Sequence, residues 1–209
     1  MKSRYDRLSA AERKTPCLLE VVSKLAGEPW TDHPSCVHPT LGAIARAVHD
    51  HSSVPGRLAL REFAPAFVGT AHTGFATSAR LVAVCVSNAL ASPRPEFITA
   101  DERRRLETAR QTALGLLEEN PAKVAGPARW WFPVLDRIRL SEPFYRTFVA
   151  TEHAAEAVAV TAKAAGAGRD AQLRRLLKLC LSSTPPRQTA TRVLPRVGAS
   201  EPPRPRAVR

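Results

Sequence analysis

The segment Phe75-Ala-Thr-Ser-Ala-Arg-Leu-Val-Ala-Val-Cys-Val-Ser-Asn-Ala-Leu90 is strongly apolar and indicates the fold class of this 209-residue chain. Its composition alone would also suit a buried β-strand, because valine is frequent in strands. Its length, however, exceeds that of ordinary strands, which span roughly 3–10 residues. We therefore predict a helix that is apolar on nearly all sides and lies at the centre of the protein. Pro93 and Pro95 would end it.

Signals for helix starts and ends precede this segment. Thr15 can cap a first helix, and Gly27 suits the residue that follows its end. A second helix is predicted to open at Pro39, with His38 near its cap. The two helices bracket residues 28–39, where prolines exclude a regular helix. We interpret this stretch as a loop held by a helical scaffold.

Further helices are predicted after the apolar segment. The run Thr99-Ala-Asp-Glu102 is a capping box, which marks the start of a helix. Another helix is predicted to begin at Ser141, and a last one to cover residues 169–183. In the helix that begins at Ser141, the apolar side chains predicted to point inward are Phe144, Phe148 and Val158.

The pattern along the chain predicts an all-α protein. The alternation of apolar and polar residues that is typical of strands is missing from the sequence. We expect a single domain over residues 15–183, an irregular bundle of about seven or eight helices. Residues 1–14 are expected to form a charged arm. Residues 184–209 contain six prolines and six arginines, and we predict a disordered basic tail there because little apolar surface can be buried.

The net charge of +12 is concentrated at the two ends of the chain. Residues 1–14 carry +3 and residues 184–209 carry +5, which together make two thirds of the excess. Arginines outnumber lysines 25 to 6, a bias that codon usage in a GC-rich genome would also produce. No run of about 18 apolar residues is present, so no membrane-spanning helix is expected. The charged start does not suit a signal peptide, and we expect a cytoplasmic protein.

The loop 28–39, Glu-Pro-Trp-Thr-Asp-His-Pro-Ser-Cys-Val-His-Pro, is the chemically densest part of the sequence. Thiolate and imidazole are preferred zinc ligands, and a closed structural zinc site needs four of them. The chain offers a set of the right types, with the first residue one short helix upstream of the others. The predicted zinc ligands are Cys17, His33, Cys36 and His38. The alternative is that these side chains cap helices or pack in the core.

A reactive thiol is a second interpretation of the same loop. Cys36 precedes a predicted helix start, where the helix dipole lowers a thiol pKa. His33 and His38 flank it, and Asp32 could orient an imidazole that acts as the base. Catalytic pairs usually come from separate elements, however, and no family signature surrounds this cysteine. A free structural thiol is the alternative.

Basic side chains late in the sequence are candidate anion-binding residues. One side of the last predicted helix and the tail could contact phosphates or an acidic partner. These residues are Arg174, Arg175, Lys178, Arg204 and Arg206. Weak, non-specific contact with nucleic acid through the tail is compatible with this pattern, whereas no helix-turn-helix is visible in the sequence.

The stretch Ala26-Gly-Glu-Pro-Trp-Thr-Asp-His-Pro-Ser-Cys36, with Pro16-Cys-Leu-Leu-Glu20 before it, resembles a motif of uncharacterised helical proteins from high-GC actinobacteria. The resemblance covers about the first third of the chain. It implies an actinobacterial origin and groups the loop residues with the first helix as one unit. It carries over no activity, cofactor or catalytic residue.

Two functions of different classes follow from these observations. The first is a helical interaction or regulatory protein that presents loop 28–39, with Trp30, Asp32, His33 and Cys36, to a protein partner or an anionic partner. This is favoured because glycine-rich phosphate motifs and nucleophile elbows are missing from the sequence. The second is a small enzyme that depends on zinc or on a thiol within the predicted ligand set.

Overall fold

The computed structural model describes residues 16–118 and 141–185, and within these two ranges every regular element is helical. The prediction of an all-α protein is therefore confirmed for the described part of the chain. The α-helices are α1 (Leu18–Leu25), α2 (Pro39–His51), α3 (Val54–Ala59), α4 (Ala64–Phe67), α5 (Phe75–Leu90), α6 (Ala100–Leu117), α7 (Ser141–Phe144), α8 (Ala150–Ala165) and α9 (Arg169–Ser182). Short 3-10 turns cover Leu60–Phe63, Thr70–His72, Pro95–Phe97 and Gly166–Gly168.

Helix α5 lies at the centre of the packing, as its sequence predicts. It packs against α6 on one side and against α8 on another. Leu81, Val82 and Cys85 are wholly buried in it. The Sγ atom of Cys85 lies 3.6 Å from that of Cys180 on α9, and both thiols are free. Because α5 buries apolar side chains on several of its faces, the hydrophobic effect stabilises it at the centre of the protein.

Helix α8 packs closely against both α2 and α5 because many of its residues are small. Ala150, Ala154 and Ala157 are fully buried along it. Their short side chains let α8 pack closely on both α2 and α5, with α9 against it as well. The loop before α2 is thereby held on a rigid framework.

The predicted helix ends are confirmed in part. Thr99 caps α6 in a capping box with Glu102, and Gly27 follows α1 with a φ of +73°. The first cap, however, is one place where the prediction was wrong. Cys17 is the N-cap of α1, and its Sγ accepts a hydrogen bond from the backbone N–H of Glu20 at 3.4 Å. A thiol takes the role that Thr15, which lies outside the described residues, was expected to have.

The inward direction of Phe144 and Phe148 was also predicted wrongly. Their side chains are 37% and 60% exposed, whereas Tyr145 is fully buried and Val158 is buried as predicted. The reason is a π-helical segment, Tyr145–Val149, between α7 and α8. A π-turn contains one residue more than an α-turn. It therefore rotates the side chains before it by about 100° relative to those after it.

Other predictions fall wholly or mostly outside the described residues. The charged arm at residues 1–14 lies there, as does the predicted tail from residue 186 onward. Thr184, which we assigned to the tail, is instead buried, and its Oγ1 donates a hydrogen bond to the carbonyl of Cys180 at 2.9 Å. Among the described helices, none combines the length and apolar character needed to cross a bilayer.

Candidate functional site

Loop 28–39 is closed by the carboxylate of Glu28. One of its oxygens accepts a hydrogen bond from the N–H of Ser35 at 2.7 Å, and the other accepts one from the N–H of Cys36 at 2.9 Å. The end of the loop is tied to the segment before α5, because the N–H of Ala71 donates to the carbonyl of Cys36 at 3.0 Å. These bonds give the loop a defined shape although it has no regular structure.

The structure places the four predicted zinc ligands in separate environments. Cys17 caps α1, and His33 pairs with Asp32 at 2.7 Å between Nδ1 and Oδ1. Cys36 is half-buried, and His38 is wholly buried at the start of α2. Within residues 16–118 and 141–185, no three His, Cys, Asp or Glu side chains are gathered as a metal site. The zinc site stays a prediction without geometric support.

The surroundings of the loop thiols oppose thiolate formation. Burial raises the pKa of Cys36, and the negative charge of Glu28 raises it further. The pKa of Cys17 is raised to about 11, chiefly by burial; the backbone N–H of Glu20 lowers it and the carboxylate of Glu20 raises it. Reactive cysteines require the opposite, an electropositive setting that lowers the pKa. The interpretation of Cys36 as a nucleophile therefore gains nothing from its position.

A cleft of about 450 Å³ opens beside the loop. One wall is the loop itself, from His33 to Val37. The floor is the start of α2, and the far wall is the π-helical segment with the first turn of α8. Among the described residues that line it there is no carboxylate. The side chains that the cleft offers to a ligand include Arg46, Arg146, His33, His38 and Thr147.

The two arginines supply the positive charge of the cleft. Arg46 donates from Nη1 to the carbonyl of Asp32 at 3.0 Å, which ties the loop to α2. Arg146 donates from Nη2 to the carbonyl of Ala71 at 2.7 Å, and its buried Nε has no hydrogen-bond partner. A carbonyl satisfies a donor but does not neutralise a charge. Within the described residues no carboxylate pairs with Arg146, so its charge is available to a ligand.

His38 is the buried polar group of the cleft. Its backbone N–H donates to Oγ1 of Thr70 at 3.0 Å, and its Nε2 lies 3.3 Å from Oγ of Ser78. Its Nδ1 is buried and has no partner among the described residues. Burial, together with the charge of Arg146, lowers the pKa of His38 to about 4. The ring is therefore neutral at pH 7, with one nitrogen that carries hydrogen and one that does not.

A hydrogen-bond chain lies behind His38. The hydroxyl of Thr40 has one hydrogen and two acceptors within reach, Oγ of Ser78 at 3.3 Å and the carbonyl of Arg146 at 3.4 Å. Nε2 of His38 accepts from Ser78 in one tautomer of the ring and donates to it in the other. In the tautomer in which Ser78 donates to Nε2, the hydrogen of the neutral ring resides on Nδ1, which is then a donor without an acceptor in the described part of the chain.

A second cavity, of about 410 Å³, is satisfied by its own charges. It lies between α6 and α8. Glu102 accepts a bond from Nζ of Lys163 at 3.0 Å, and Glu156 accepts one from Nε of Arg105 at 2.6 Å. These pairs neutralise two of the three arginine and lysine side chains in its lining, and the third, Arg169, interacts electrostatically with the carboxylate of Asp170. The cleft beside loop 28–39, in which Arg146 pairs with no carboxylate of the described residues, is for that reason the better candidate site.

The sequence analysis identified the loop but missed the arginines that face it. Arg46 and Arg146 are one hundred positions apart, and only tertiary packing brings them to one cleft. The predicted anion-binding residues lie elsewhere. Arg174 pairs with Glu62, at 2.6 Å between Nη2 and Oε1. Exposed positions on α9 hold Arg175 and Lys178, and the tail residues Arg204 and Arg206 lie outside the described part.

Comparisons with protein-family models, with curated proteins and with solved structures found no match to this chain.

Proposed function

We propose that this protein is a non-enzymatic interaction protein that uses loop 28–39 as its binding surface and takes an anionic group of a protein partner into the adjacent cleft. The observation that carries the proposal is the charge of the cleft. Arg46 and Arg146 face the same space, and none of the described residues that line it is acidic. A charge in a partly buried position is unfavourable unless it is paired. Arg46 interacts with the nearby carboxylates of Asp32 and Asp50, so a carboxylate or phosphate of the partner would supply the counter-charge that Arg146 lacks.

The expected energy of this contact is sufficient to matter. A hydrogen bond to a charged group contributes about 1.5–3 kcal/mol. A guanidinium can hold an oxyanion through two parallel N–H donors, which adds geometric selectivity. Arg146 uses one of its donors on Ala71 and keeps others for a ligand. Recognition through such an arginine would be sensitive to its replacement even by lysine.

The outer face of the loop supports a protein partner. Trp30 is 56% exposed there, and Leu25 at the end of α1 is exposed to the same extent. Tryptophan and arginine are among the residue types that most often dominate protein–protein binding energy. The partner is thus expected to present an apolar residue close to its anionic group.

The alternative, an enzyme that depends on zinc or a thiol, is not favoured by any specific observation in the described residues. The raised pKa of Cys36 opposes a nucleophilic role. Contact of the basic tail with nucleic acid stays a prediction, because residues 186–209 are not described. Neither alternative explains why two arginines face the cleft.

Selection from a random displayed peptide library tests the proposal. Wild-type protein should enrich peptides that carry an acidic residue next to an apolar one. Arg146→Gln should lose this enrichment because it removes the charge of the cleft, and Trp30→Ala should weaken it. Arg175→Gln is the matched control, since Arg175 is exposed on α9, away from the cleft. Equal enrichment of acidic peptides by wild type and by Arg146→Gln would rule the proposal out.

A further inference from the structure

We infer that the anionic group taken by this cleft is a phosphate rather than a carboxylate, bound by Arg46, Arg146 and His38, the last in the tautomer that carries its hydrogen on Nδ1. The inference rests on the proposed function and names the chemistry of its ligand. Phosphate on a hydroxyl side chain of a partner and free phosphate share this chemistry, so both are sources to be distinguished by experiment.

Two residues that line the cleft each have a buried nitrogen without a hydrogen-bond partner. Among the described residues, neither Nδ1 of His38 nor Nε of Arg146 finds one. His38 is wholly excluded from solvent. An unmade hydrogen bond at a buried donor costs about 1–3 kcal/mol, so such groups usually have a reason to persist. A single multivalent acceptor in the cleft would satisfy donors that come from α2 and from the π-helical segment.

The number and arrangement of the charges favour a dianion. Two guanidinium groups approach from different elements, and the carboxylates of Asp32 and Asp50 offset part of the charge of Arg46 only. His38 adds a neutral donor rather than a third charge. A phosphate monoester carries close to two negative charges at pH 7 and offers three acceptor oxygens in different directions. A carboxylate carries one charge and has two oxygens in one plane. Three donors from separate directions fit the tetrahedral group better.

The direction of helix α2 adds to this preference. The cleft contains His38 and Pro39, the cap and the first residue of a 13-residue helix. The first turn contains no acidic residue, and the side chain of His38 makes no capping bond to the helix. The positive end of the helix dipole is therefore not offset by the chain itself. Anions are stabilised at such positions, and phosphate is a frequent one.

Titration calorimetry in a zwitterionic buffer tests the inference with four named probes. These are inorganic phosphate, acetate, a phosphoserine peptide with alanine on either side, and the same peptide with glutamate in place of phosphoserine. We expect the phosphate probes to bind about tenfold or more tightly than their carboxylate counterparts. Arg146→Gln should weaken phosphate binding by about 10- to 100-fold, and Arg175→Gln should leave it unchanged.

The role of His38 requires a measurement on the wild-type protein, since replacing a fully buried side chain at a helix cap can unfold the domain. In protein with ¹⁵N-labelled histidine, we expect phosphate to shift the Nδ1 resonance of His38 and to slow exchange of its hydrogen. Acetate should do so only weakly. His72, which is exposed and does not line the cleft, is the internal control.

The outcomes separate this inference from the proposed function. Acetate and the glutamate peptide binding as tightly as the phosphate probes would overturn the inference while the anion-binding function stands. No binding of any probe would overturn both. Phosphate binding unaffected by Arg146→Gln would place the site elsewhere and also overturn the inference. If phosphate is preferred, tighter binding of the phosphoserine peptide than of inorganic phosphate identifies a phosphorylated partner, and the reverse identifies free phosphate.

Discussion

Replacing Gly42 by alanine should stabilise the protein and at the same time impair its cleft. Gly42 is buried near the start of α2 and lines the cleft. A Cβ at this position would lie 3.4 Å from Nη1 of Arg46 and 3.6 Å from Cγ1 of Val37. Both distances are ordinary van der Waals contacts, so the added methyl fits without strain. It would occupy space next to one of the two arginines that we assign to the ligand.

The expected gain in stability can be worked out from two terms. Glycine is less favourable than alanine in a helix interior by about 0.8–1.0 kcal/mol. Contact with Val37 buries part of the new methyl, and full burial of one such group contributes up to about 0.8 kcal/mol. We expect the free energy of unfolding to rise by about 1–1.5 kcal/mol. In a chain of this length that corresponds to an increase in Tm of roughly 2–6 °C.

The same substitution should lower the affinity for phosphate. A phosphate oxygen bonded to Arg46 must come within about 3 Å of its nitrogen, and the new methyl takes part of that space. Overpacking of a fitted site costs about 1–3 kcal/mol, so phosphate affinity should fall by about 5- to 150-fold. Thermal unfolding and calorimetry on the same samples measure both quantities. Gly74→Ala is the control, because its Cβ meets nothing within 4 Å.

Either of two results would refute this reasoning. A lower Tm for Gly42→Ala would mean that the space beside Arg46 is smaller than the geometry indicates. A higher Tm with unchanged phosphate affinity would mean that no ligand approaches Gly42, and the cleft would no longer be a credible site.

Three further predictions concern other parts of the structure. Tyr145→Phe removes a buried hydroxyl that has no partner, so the free energy of unfolding should stay unchanged or rise by about 1 kcal/mol, as measured by denaturant titration. Gly56→Ala places a Cβ 2.6 Å from Cγ of Asp170, so the carboxylate must move and stability should fall by about 1 kcal/mol or more. In timed alkylation followed by mass spectrometry, Cys36 should react before Cys85, because Cys85 is fully buried and becomes accessible only when the core opens.

Each of these has a result that contradicts it. A loss of more than about 1 kcal/mol in Tyr145→Phe would show that the hydroxyl is hydrogen-bonded, for example to water. Gly168→Ala, with open space around the new Cβ, is the control for Gly56→Ala, and equal destabilisation by both would remove the role of the Asp170 contact. Alkylation of Cys85 as fast as that of Cys36 would mean that the contact between α5 and α9 opens readily.

Local signals predicted the helices of this protein well because each depends on residues close in sequence. The apolar length of α5 and the capping box at Thr99 needed no tertiary information, and both were confirmed. The start of α2 at Pro39 was confirmed for the same reason. The cap at Cys17 was missed because cysteine is not among the usual capping residues. The loop between α1 and α2 was recognised from its prolines.

The composition of the cleft could not be predicted in this way. His38 was assigned as a metal ligand because imidazole commonly binds zinc, but its environment is set by Ser78 and Arg146, which are far from it in sequence. Residues forty or more positions away determine which ring nitrogen of His38 has a hydrogen-bond partner, and a local sequence pattern contains no information about them. The residues that matter to the ligand were therefore found only once packing was known.

The π-helical segment explains why Phe144 and Phe148 were predicted wrongly, and it also forms part of the proposed site. Periodicity of an α-helix placed Phe144 and Phe148 inside, and the extra residue of the π-turn instead buries Tyr145 and brings Arg146 to the cleft. The arrangement leaves two unpartnered groups side by side in the chain, the hydroxyl of Tyr145 and Nε of Arg146. Such π-turns are rare and occur often at functional sites. A departure from α-helical periodicity that coincides with unsatisfied polar groups is expected at functional sites. In this protein, the turn with both features forms the wall of the cleft opposite loop 28–39.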